Sequence, residues 1–298
     1  MKSIREIKEW MYDVFEVDEQ EEREMGEEAV QKRREGLKQL AEHTGRNTIA
    51  YYTMADGMAD ESHVLGFVDV TDGMDPAKGL DLIIHTTGGM AEAAEAIMKH
   101  LRKVFHNDIR VIVPSRAAGV GTLMALSAKE ILFGRAACLG PIDVRRRVGG
   151  EYASVFSLYQ EMRAAKEEMA VNPASVAYWK ERLAKYPAGI FDEVMDCIRH
   201  CEEIATAGLT EVMFSDGSVD AKDIKKIVAV FNNTNLSRSR RFDFDRCKEI
   251  GLRARELDED VSLYNLVMMA HVMYFLYLPE NGVGSLIEGD NGRLFEDR

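Results

Sequence analysis

The chain has 298 residues, of which 46% are hydrophobic, enough for one large α/β core with terminal additions. Its 51 acidic and 38 basic residues give a formal net charge of -13, which argues against a general nucleic-acid binder and favours solubility. The charged start MKSIREIKEW lacks a signal-peptide pattern, and no run of eighteen or more uncharged apolar residues occurs. We therefore expect a soluble, cytoplasmic protein without a membrane span.

The four cysteines, Cys138, Cys197, Cys201 and Cys247, contain no CxxC pair. Cys197 and Cys201 are four residues apart, so on a helix they share a face, and with His200 they resemble part of a metal site. Reduced cysteines on a helix are the favoured interpretation, and we expect no metal and no cofactor.

The first 46 residues are highly charged and contain few glycines, which predicts a helical extension over residues 1–46. Apolar residues recur there at steps of three and four, as on one face of a helix, namely at Ile4, Ile7, Trp10, Met11 and Phe15. This face is expected either to pack on the core or to meet a neighbouring subunit.

Thr48–Thr53 is predicted as the first core strand, and Val64–Val70 as a further element whose alternation is imperfect. The short apolar run Leu80–His85 predicts a strand buried on both faces. The turn Thr86-Thr87-Gly88-Gly89 follows, and then a helix with one apolar face formed by Ala93, Ala94, Ile97, Met98 and Leu101.

A second unit of the same kind comes next. Ile109–Val113 is a predicted strand that Pro114 ends, and the segment 117–122 leads into a predicted helix, Leu123–Ala128. Two such turns place backbone N–H groups, free at helix starts, around one point beyond the carboxyl ends of neighbouring parallel strands. An anion or a developing oxyanion fits at that point.

A third predicted strand, Ile131–Phe133, precedes the segment LGPID at 139–143 and the basic cluster Arg145–Arg147. This cluster suits capture of a carboxylate or a phosphate, or contact with an acidic neighbouring subunit. A solvated loop is an equally good interpretation. The second basic cluster, Arg238–Arg241, is open to the same two functions, anion holding or subunit contact.

The remaining chain is predicted to be mainly helical. Helical patterns cover Tyr152–Leu209 and Asp220–Phe231, and a further helix ends at Gly251 as its cap. The apolar stretch Val261–Leu278 contains Asn265 and His271, which favours a buried or subunit-contacting helix over a membrane span. The Gly-rich, charged residues from Glu280 onward are predicted to form a peripheral tail.

Three stretches in this order, LIIHTTGG, VIVPSRAAGVGTLMAL and LGPID, together resemble the serine dehydrogenase proteinase family, which is related to signal peptide peptidase and Clp protease within the ClpP/crotonase superfamily. The resemblance runs from about Asn47 to Leu252. It implies an α/β fold with a ClpP/crotonase-like repeated ββα core over residues 47–252, a C-terminal helix and tail over 253–298, assembly into homo-oligomers and serine peptidase chemistry.

The same resemblance implies where a site lies and where this sequence departs from the pattern. Gly119 stands at the position of the family's nucleophilic serine, and Arg238 stands near the position of the family's histidine. A glycine has no hydroxyl, so an acyl-enzyme intermediate cannot form through that residue. The resemblance further implies an oxyanion hole at Gly88, Gly89 and Val120, and substrate lining by Leu139, Gly140 and Pro141.

Other side chains near these motifs are weaker substitutes for the missing groups. Ser115 is best interpreted as a loop serine, and Thr122 as a helix-start residue that bonds a free N–H. His85 at its strand end has a favoured structural role. Lys166 follows the LGPID segment, where a lysine base lies in some relatives, but its acidic neighbours favour an exposed, charged lysine.

Three functions follow from these features. The favoured one is a serine-peptidase-like protein without the usual nucleophile, acting through oligomeric assembly or through binding of a peptide or partner protein. The second is an active serine peptidase or hydrolase whose nucleophile is unrecognised or has been engineered away. The third is a crotonase-like acyl-CoA enzyme, which needs an oxyanion hole but no serine.

Overall fold

The structure, a computed structural model, describes residues 19–54 and 58–297. The predicted apolar face from Ile4 to Phe15 lies outside the described residues. The helices in chain order are α1 (Glu19–Thr44), α2 (Glu61–Thr71), α3 (Ala91–Phe105), α4 (Val120–Leu126), α5 (Val155–Val171), α6 (Val176–Leu183), α7 (Ile190–Gly208), α8 (Ala221–Phe231), α9 (Phe244–Ile250) and α10 (Val261–Glu280).

The strands in chain order are β1 (Asn47–Thr53), β2 (Leu80–His85), β3 (Ile109–Val113), β4 (Arg116–Ala117), β5 (Glu130–Phe133), β6 (Cys138–Leu139), β7 (Arg145–Val148), β8 (Glu151–Ser154), β9 (Ala254–Glu256), β10 (Ser285–Gly289) and β11 (Leu294–Asp297). Seven of them form the central sheet, in the spatial order β11-β10-β1-β2-β3-β5-β9. Strands β1, β2, β3, β5 and β9 are parallel, whereas β10 and β11 run antiparallel to their neighbours.

The middle of the sheet is buried on both faces, as the apolar runs predict. Side chains of a strand point alternately to opposite faces, and β1 shows this alternation clearly. Ile49 and Tyr51 belong to one apolar cluster, whereas Ala50 and Tyr52 belong to the other. The strands therefore lack a polar face, which is typical of parallel sheets covered by helices on both sides.

The two helical layers differ in size. Helices α1 and α10 cover one face of the sheet, where Leu37, Leu40, Val267 and Tyr274 pack against residues of β1, β2 and β10. Helices α2, α3, α4, α7 and α8 cover the other face and contribute to the larger cluster. The result is a mixed α/β architecture with a mostly parallel central sheet; the repeated ββα arrangement and the division of the chain at residues 46 and 252 stay predictions.

The further element predicted at Val64–Val70 is part of a helix, α2, which explains its imperfect alternation. One local prediction is wrong. The residues from Glu280 onward do not form a peripheral tail, because β10 inserts beside β1 and is buried along its whole length. The sheet therefore needs the C-terminal residues for its own completion.

The basic cluster Arg145–Arg147, for which a solvated loop was one interpretation, lies on the first strand of a short hairpin, β7–β8. Its turn is Gly149-Gly150, and both residues have positive φ, 59° and 100°. Two residues with positive φ suit the tight turns that connect twisted hairpin strands. The Gly-Gly pair is therefore the sequence signal for this hairpin.

Within the described part of the chain, α10 is the one helix long and apolar enough to cross a membrane by length and composition. Those two properties are also met by core helices of soluble proteins. Its residues Leu263, Val267, Ala270, Tyr274 and Leu278 are buried in the cluster on the sheet. The helix thus packs on the sheet along one side.

Candidate functional site

Two turns meet at the carboxyl ends of β2 and β3. The first turn, which begins at Thr86, and the second, which begins at Arg116, are joined by backbone hydrogen bonds. The Thr86 N–H donates to the Arg116 carbonyl at 3.2 Å, and the Ala118 N–H donates to the Thr86 carbonyl at 3.0 Å. The convergence predicted for the two turns is therefore present in the fold, since adjacent parallel strands end at the same edge.

Gly119 is the residue immediately before α4, and the LGPID segment holds it tightly. Its backbone has φ 57° and ψ -112°, which glycine adopts without the steric cost that a β-carbon brings. Its N–H donates to the Pro141 carbonyl at 3.0 Å. A β-carbon added to Gly119 would lie 2.9 Å from the carbonyl oxygen of Asp143 and 3.2 Å from the Cα of Gly88. Neighbouring backbone thus fills the place of a side chain.

A cleft of about 310 Å³ opens in front of this turn. Its walls come from five separate stretches of the chain, including both turns, the LGPID segment, the start of β7 and the loop before α9. The lining residues are Thr87, Arg116, Ala118, Gly119, Pro141, Asp143, Arg145, Arg238 and Ser239.

Asp143 carries the one carboxylate among the described residues that line the cleft. Its side chain is buried, and the Ser154 hydroxyl lies 2.8 and 2.7 Å from its two oxygens. The Phe156 N–H also donates to it, at 3.1 Å, and Arg238 Nε lies 3.1 Å from its Oδ2. Burial raises the pKa of Asp143, and these hydrogen bonds and the arginines oppose that rise.

Three arginines, Arg116, Arg145 and Arg238, also line the cleft. Arg116 Nη2 donates to the Arg238 carbonyl at 2.8 Å, whereas its buried Nε has no hydrogen-bond partner in the described part of the chain. Burial, followed by the nearby charge of Arg238, lowers the pKa of Arg145 below its ordinary value. The positive charges therefore crowd one another.

The predicted site residues divide into those at the cleft surface and those behind it. Gly119, Pro141 and Arg238 line the cleft. Gly88, Gly89, Val120, Leu139 and Gly140 lie in the surrounding backbone and are absent from that lining.

The backbone behind the cleft is tied together by its own hydrogen bonds. The Gly89 carbonyl accepts from the Arg145 N–H at 2.8 Å, which fastens β7 to the first turn. The Gly140 N–H donates to the Ala117 carbonyl, and the Leu139 N–H donates to the Phe242 carbonyl, both at 2.9 Å. The first of these two bonds holds the LGPID segment against the second turn, and the other holds it against the segment before α9.

Sequence reasoning missed Thr87, Arg116 and Asp143 as lining residues. Arg116 and Asp143 were within the quoted motifs, but nothing in a sequence says which way a loop side chain points. The two basic clusters also split. Arg145 and Arg238 line the cleft, whereas Arg146 pairs with Glu92 and Glu193, both at 3.0 Å. Clustering along the chain is therefore not clustering in space.

The substitutes for a missing nucleophile or base lie elsewhere. The Thr122 hydroxyl is fully buried and donates to the Gly140 carbonyl at 2.8 Å. Ser115 and Lys166 are not among the lining residues, and Lys166 is exposed. No histidine or lysine from residues 19–54 or 58–297 lines the cleft.

His85 lies buried at the end of β2 beside Tyr52 and His271, with ring centroids 5.8 and 5.3 Å away. Its Nδ1 has no hydrogen-bond partner among the described residues. Burial, with a smaller effect of the Arg116 charge, lowers the pKa of His85 to about 4. The ring is therefore neutral at neutral pH and packed among aromatic side chains.

The described residues contain no group of three or more His, Cys, Asp or Glu that suits a metal ion. Cys197 and Cys201 are buried on α7. His200, between them in sequence, has its Nε2 3.2 Å from a carboxylate oxygen of Glu95 on α3.

Comparison with known proteins finds one matching family model and two partial relatives. The model of the ClpP-like SDH-type serine proteinases matches residues 45–169, which confirms the resemblance predicted from the three motifs. An uncharacterized protein of Methanocaldococcus jannaschii is 50% identical over 66 residues, which are 22% of this chain and 23% of that protein. A second uncharacterized protein of that organism is 40% identical over 82 residues, 27% of each chain.

The chain therefore matches about a quarter of the length of these two relatives. No solved structure matches. Residues 45–169, which supply most of the cleft lining, are thus similar to one kind of proteinase, while activity, substrate and partners have to be argued from the site.

Proposed function

We propose that this protein, whose residues 45–169 match the ClpP-like SDH-type serine proteinases, binds a peptide or a partner segment in its cleft without cutting it. The observation that carries the proposal is the packing at Gly119, where a β-carbon would lie 2.9 Å from the Asp143 carbonyl oxygen. A nucleophile at this turn needs a side chain that projects into the cleft, and the backbone occupies that space.

The surroundings of the turn support the same conclusion. A serine nucleophile needs a neighbouring base to accept its proton. In the described chain the cleft offers Asp143 instead, and its carboxylate oxygens are engaged by Ser154, Phe156 and Arg238. Arg238, near the place of the family's histidine, carries a guanidinium group, which donates hydrogen bonds and has no acceptor for that proton.

The features that bind a peptide chain do not depend on the missing hydroxyl. The N–H groups of Gly89 and Val120, which lie behind the lining residues, are the proposed donors to a carbonyl oxygen of the bound segment. Pro141 is the proposed contact for its backbone, and Leu139 and Gly140, whose N–H groups donate to Phe242 and Ala117, hold Pro141 from behind. The proposed arrangement of the core around the cleft is a repeated ββα unit.

The test combines an activity probe with a binding assay. A fluorophosphonate serine-hydrolase probe is expected to label neither the unaltered protein nor its Gly119→Ser variant, with an active serine hydrolase labelled alongside. A fluorescein-labelled pool of random hexapeptides is expected to bind in fluorescence anisotropy and to be recovered intact in mass spectrometry.

Labelling of the unaltered protein would sink the proposal and favour the active hydrolase. The hydroxyls of Thr87 and Ser239 line the cleft, so the variants Thr87→Val and Ser239→Ala would then identify the nucleophile. A failure of the hexapeptide pool to bind at all would remove the peptide-binding function as well.

The proposed assembly is a homo-oligomer in the cytoplasm. Helix α10 supports it, because Val261, Met269 and Phe275 leave apolar surface exposed on a helix whose other side packs on the sheet. Light scattering is expected to give a multiple of 33.6 kDa. Met269→Glu is expected to lower that mass, whereas Leu65→Glu, on the exposed surface of α2, leaves it unchanged; a monomeric unaltered protein contradicts the assembly.

A further inference from the structure

We infer that the cleft binds the free C-terminal carboxylate of a peptide through Arg116, Arg145 and Arg238. This inference rests on the proposed function, because it names the part of the peptide that the same cleft takes. It follows from the charges at the cleft, from one unsatisfied donor and from the size of the space.

The charges at the cleft do not balance. Three guanidinium groups face one carboxylate there, in a protein whose formal net charge is -13. Arg238 pairs with Asp143 at 3.1 Å. Within the described residues, Arg116 and Arg145 have no carboxylate within 4.0 Å, although most other arginines of the protein have one. Two of the three arginines thus lack a carboxylate partner and are available to an anionic ligand.

The hydrogen bonds point the same way. Arg116 Nε is buried without a partner in the described chain, and a buried donor without an acceptor is unfavourable. The nearby charge of Arg238 adds to the burial that lowers the pKa of Arg145, so the free cleft holds repulsion that a bound anion relieves. A carboxylate accepts paired hydrogen bonds from guanidinium groups in a plane, which Lys would not provide.

Asp143 offsets one of the three arginine charges, so the cleft keeps an excess of positive charge for an anionic group. The planar shape of a carboxylate matches the guanidinium groups, and the rest of the peptide adds contacts that a free phosphate lacks. The cleft volume of about 310 Å³ is at the lower end of the range for ligand sites. This space suits the end of a chain better than a long segment that passes through.

The first test needs no variant. Two fluorescein-labelled pools of random hexapeptides, identical except that one ends in a free carboxylate and the other in an amide, are compared by anisotropy. The free acid is expected to bind about tenfold more tightly, because a charge-assisted hydrogen bond is lost in the amide. Inorganic phosphate and unlabelled free-acid peptide are compared as competitors of the labelled pool. The phosphate concentration that displaces half of the labelled peptide is expected to be about tenfold higher than that of the unlabelled acid.

The second test locates the effect. Arg145→Gln is expected to reduce the preference for the free acid at least fivefold. Arg147→Gln is the matched control, because Arg147 is exposed on the same strand, two residues away, and does not line the cleft. Circular dichroism of both variants checks that each is folded; the acid and amide comparison on the unaltered protein stands whatever their result.

Equal binding of the acid and amide pools would overturn this inference and leave the proposed peptide binding intact. Binding of phosphate more tightly than the acid pool would overturn it too, and would assign the arginines to a phosphate group. Absence of binding by both pools would remove the proposed function and this inference together.

Discussion

Gly119 illustrates how one residue sets the chemistry of the turn. It has a positive φ of 57°, and its neighbours Asp143 and Gly88 approach to distances that exclude a side chain. The first property costs a non-glycine residue backbone strain, and the second costs steric overlap. Both costs fall on the position at which a nucleophile is required, so loss of the hydroxyl and closure of the space go together.

Gly119→Ala is therefore expected to lower the free energy of unfolding by about 3 kcal/mol, the sum of backbone strain and overpacking. Gly149→Ala is the control, because Gly149 has a similar φ of 59° and nothing within 4 Å of an added β-carbon. It should lose about 1 kcal/mol. Urea unfolding followed by circular dichroism measures both; equal losses would show that Asp143 moves aside easily.

The two buried histidines beside Tyr52 make stability depend on pH. Burial lowers the pKa of His85 to about 4, with a smaller effect of Arg116, and lowers the pKa of His271 to about 3, with a smaller effect of His85. Between these values and the ordinary 6.5, the unfolded chain binds more protons than the folded one. Stability is therefore lost as the pH falls below about 6.5.

Each histidine is expected to account for about 2 kcal/mol of stability lost between pH 7 and pH 5. In His85→Gln, the free energy of unfolding measured in urea should differ less between pH 7 and pH 5, by about that amount. His106→Gln, at an exposed position, should leave the difference unchanged. An undiminished pH dependence in His85→Gln would show that its ring is protonated without cost in the folded protein.

At the scale of elements, a buried ion pair ties α1 to strand β10. Arg33 Nε lies 2.6 Å from Glu288 Oε2, and both side chains are buried. Tyr274 of α10 donates its hydroxyl to the same oxygen at 2.8 Å. Three elements that are distant in sequence, α1, α10 and β10, are thereby joined at one carboxylate on the sheet.

Arg33→Met is expected to destabilise the protein by about 3 to 5 kcal/mol, because it leaves Glu288 buried without its main counter-charge. Arg34→Met is the matched control, since Arg34 Nε also contacts Glu288, at 3.3 Å, from a side chain that is 43% exposed. That variant should lose less than about 1 kcal/mol. Thermal and urea unfolding compare the two; similar small losses would mean that Glu288 does not depend on Arg33 for its place inside the protein.

This ion pair also explains the main error in the predicted fold. Leu80–His85 and Ile109–Val113 were predicted with the bounds that the structure has, because an uninterrupted apolar run is a strong strand signal. Strand β10 reads SLIEG, and its glutamate and flanking glycines indicate an exposed tail. The carboxylate is tolerated inside the sheet only because Arg33 lies beside it, and a partner 255 residues away leaves no local pattern.

The sequence predicted which backbone segments meet at the site, but it did not predict which side chains line the cleft. The glycine turns after β2 and β3 and the LGPID segment converge as parallel strands require. Arg116, Arg145 and Arg238 converge from three separate segments, and their directions depend on tertiary contacts such as the bond from Arg116 to the Arg238 carbonyl. The sequence grouped arginines by adjacency, and the fold brings one residue from each predicted cluster, Arg145 and Arg238, together with Arg116.

For the whole molecule, the insertion of β10 beside β1 predicts that the C-terminal residues are needed for folding. Five register pairs, from Ile49 with Gly289 to Thr53 with Ser285, join the two strands. A chain that stops at Glu280 would expose the edge of β1 and leave Arg33 without Glu288. An exposed strand edge favours pairing with other chains, so we expect this truncated protein to be unfolded or aggregated.

A chain that stops at Gly289 is the informative comparison. It keeps β10 and Glu288 but loses β11, which is the outermost strand and only partly buried. It should remain folded, with a lower midpoint in urea, whereas the shorter chain shows no cooperative unfolding transition. Solubility, circular dichroism and limited proteolysis separate the two. If both truncated chains unfold like the intact protein, the sheet is complete without β10, and Glu288 is not the residue that holds α1 in place.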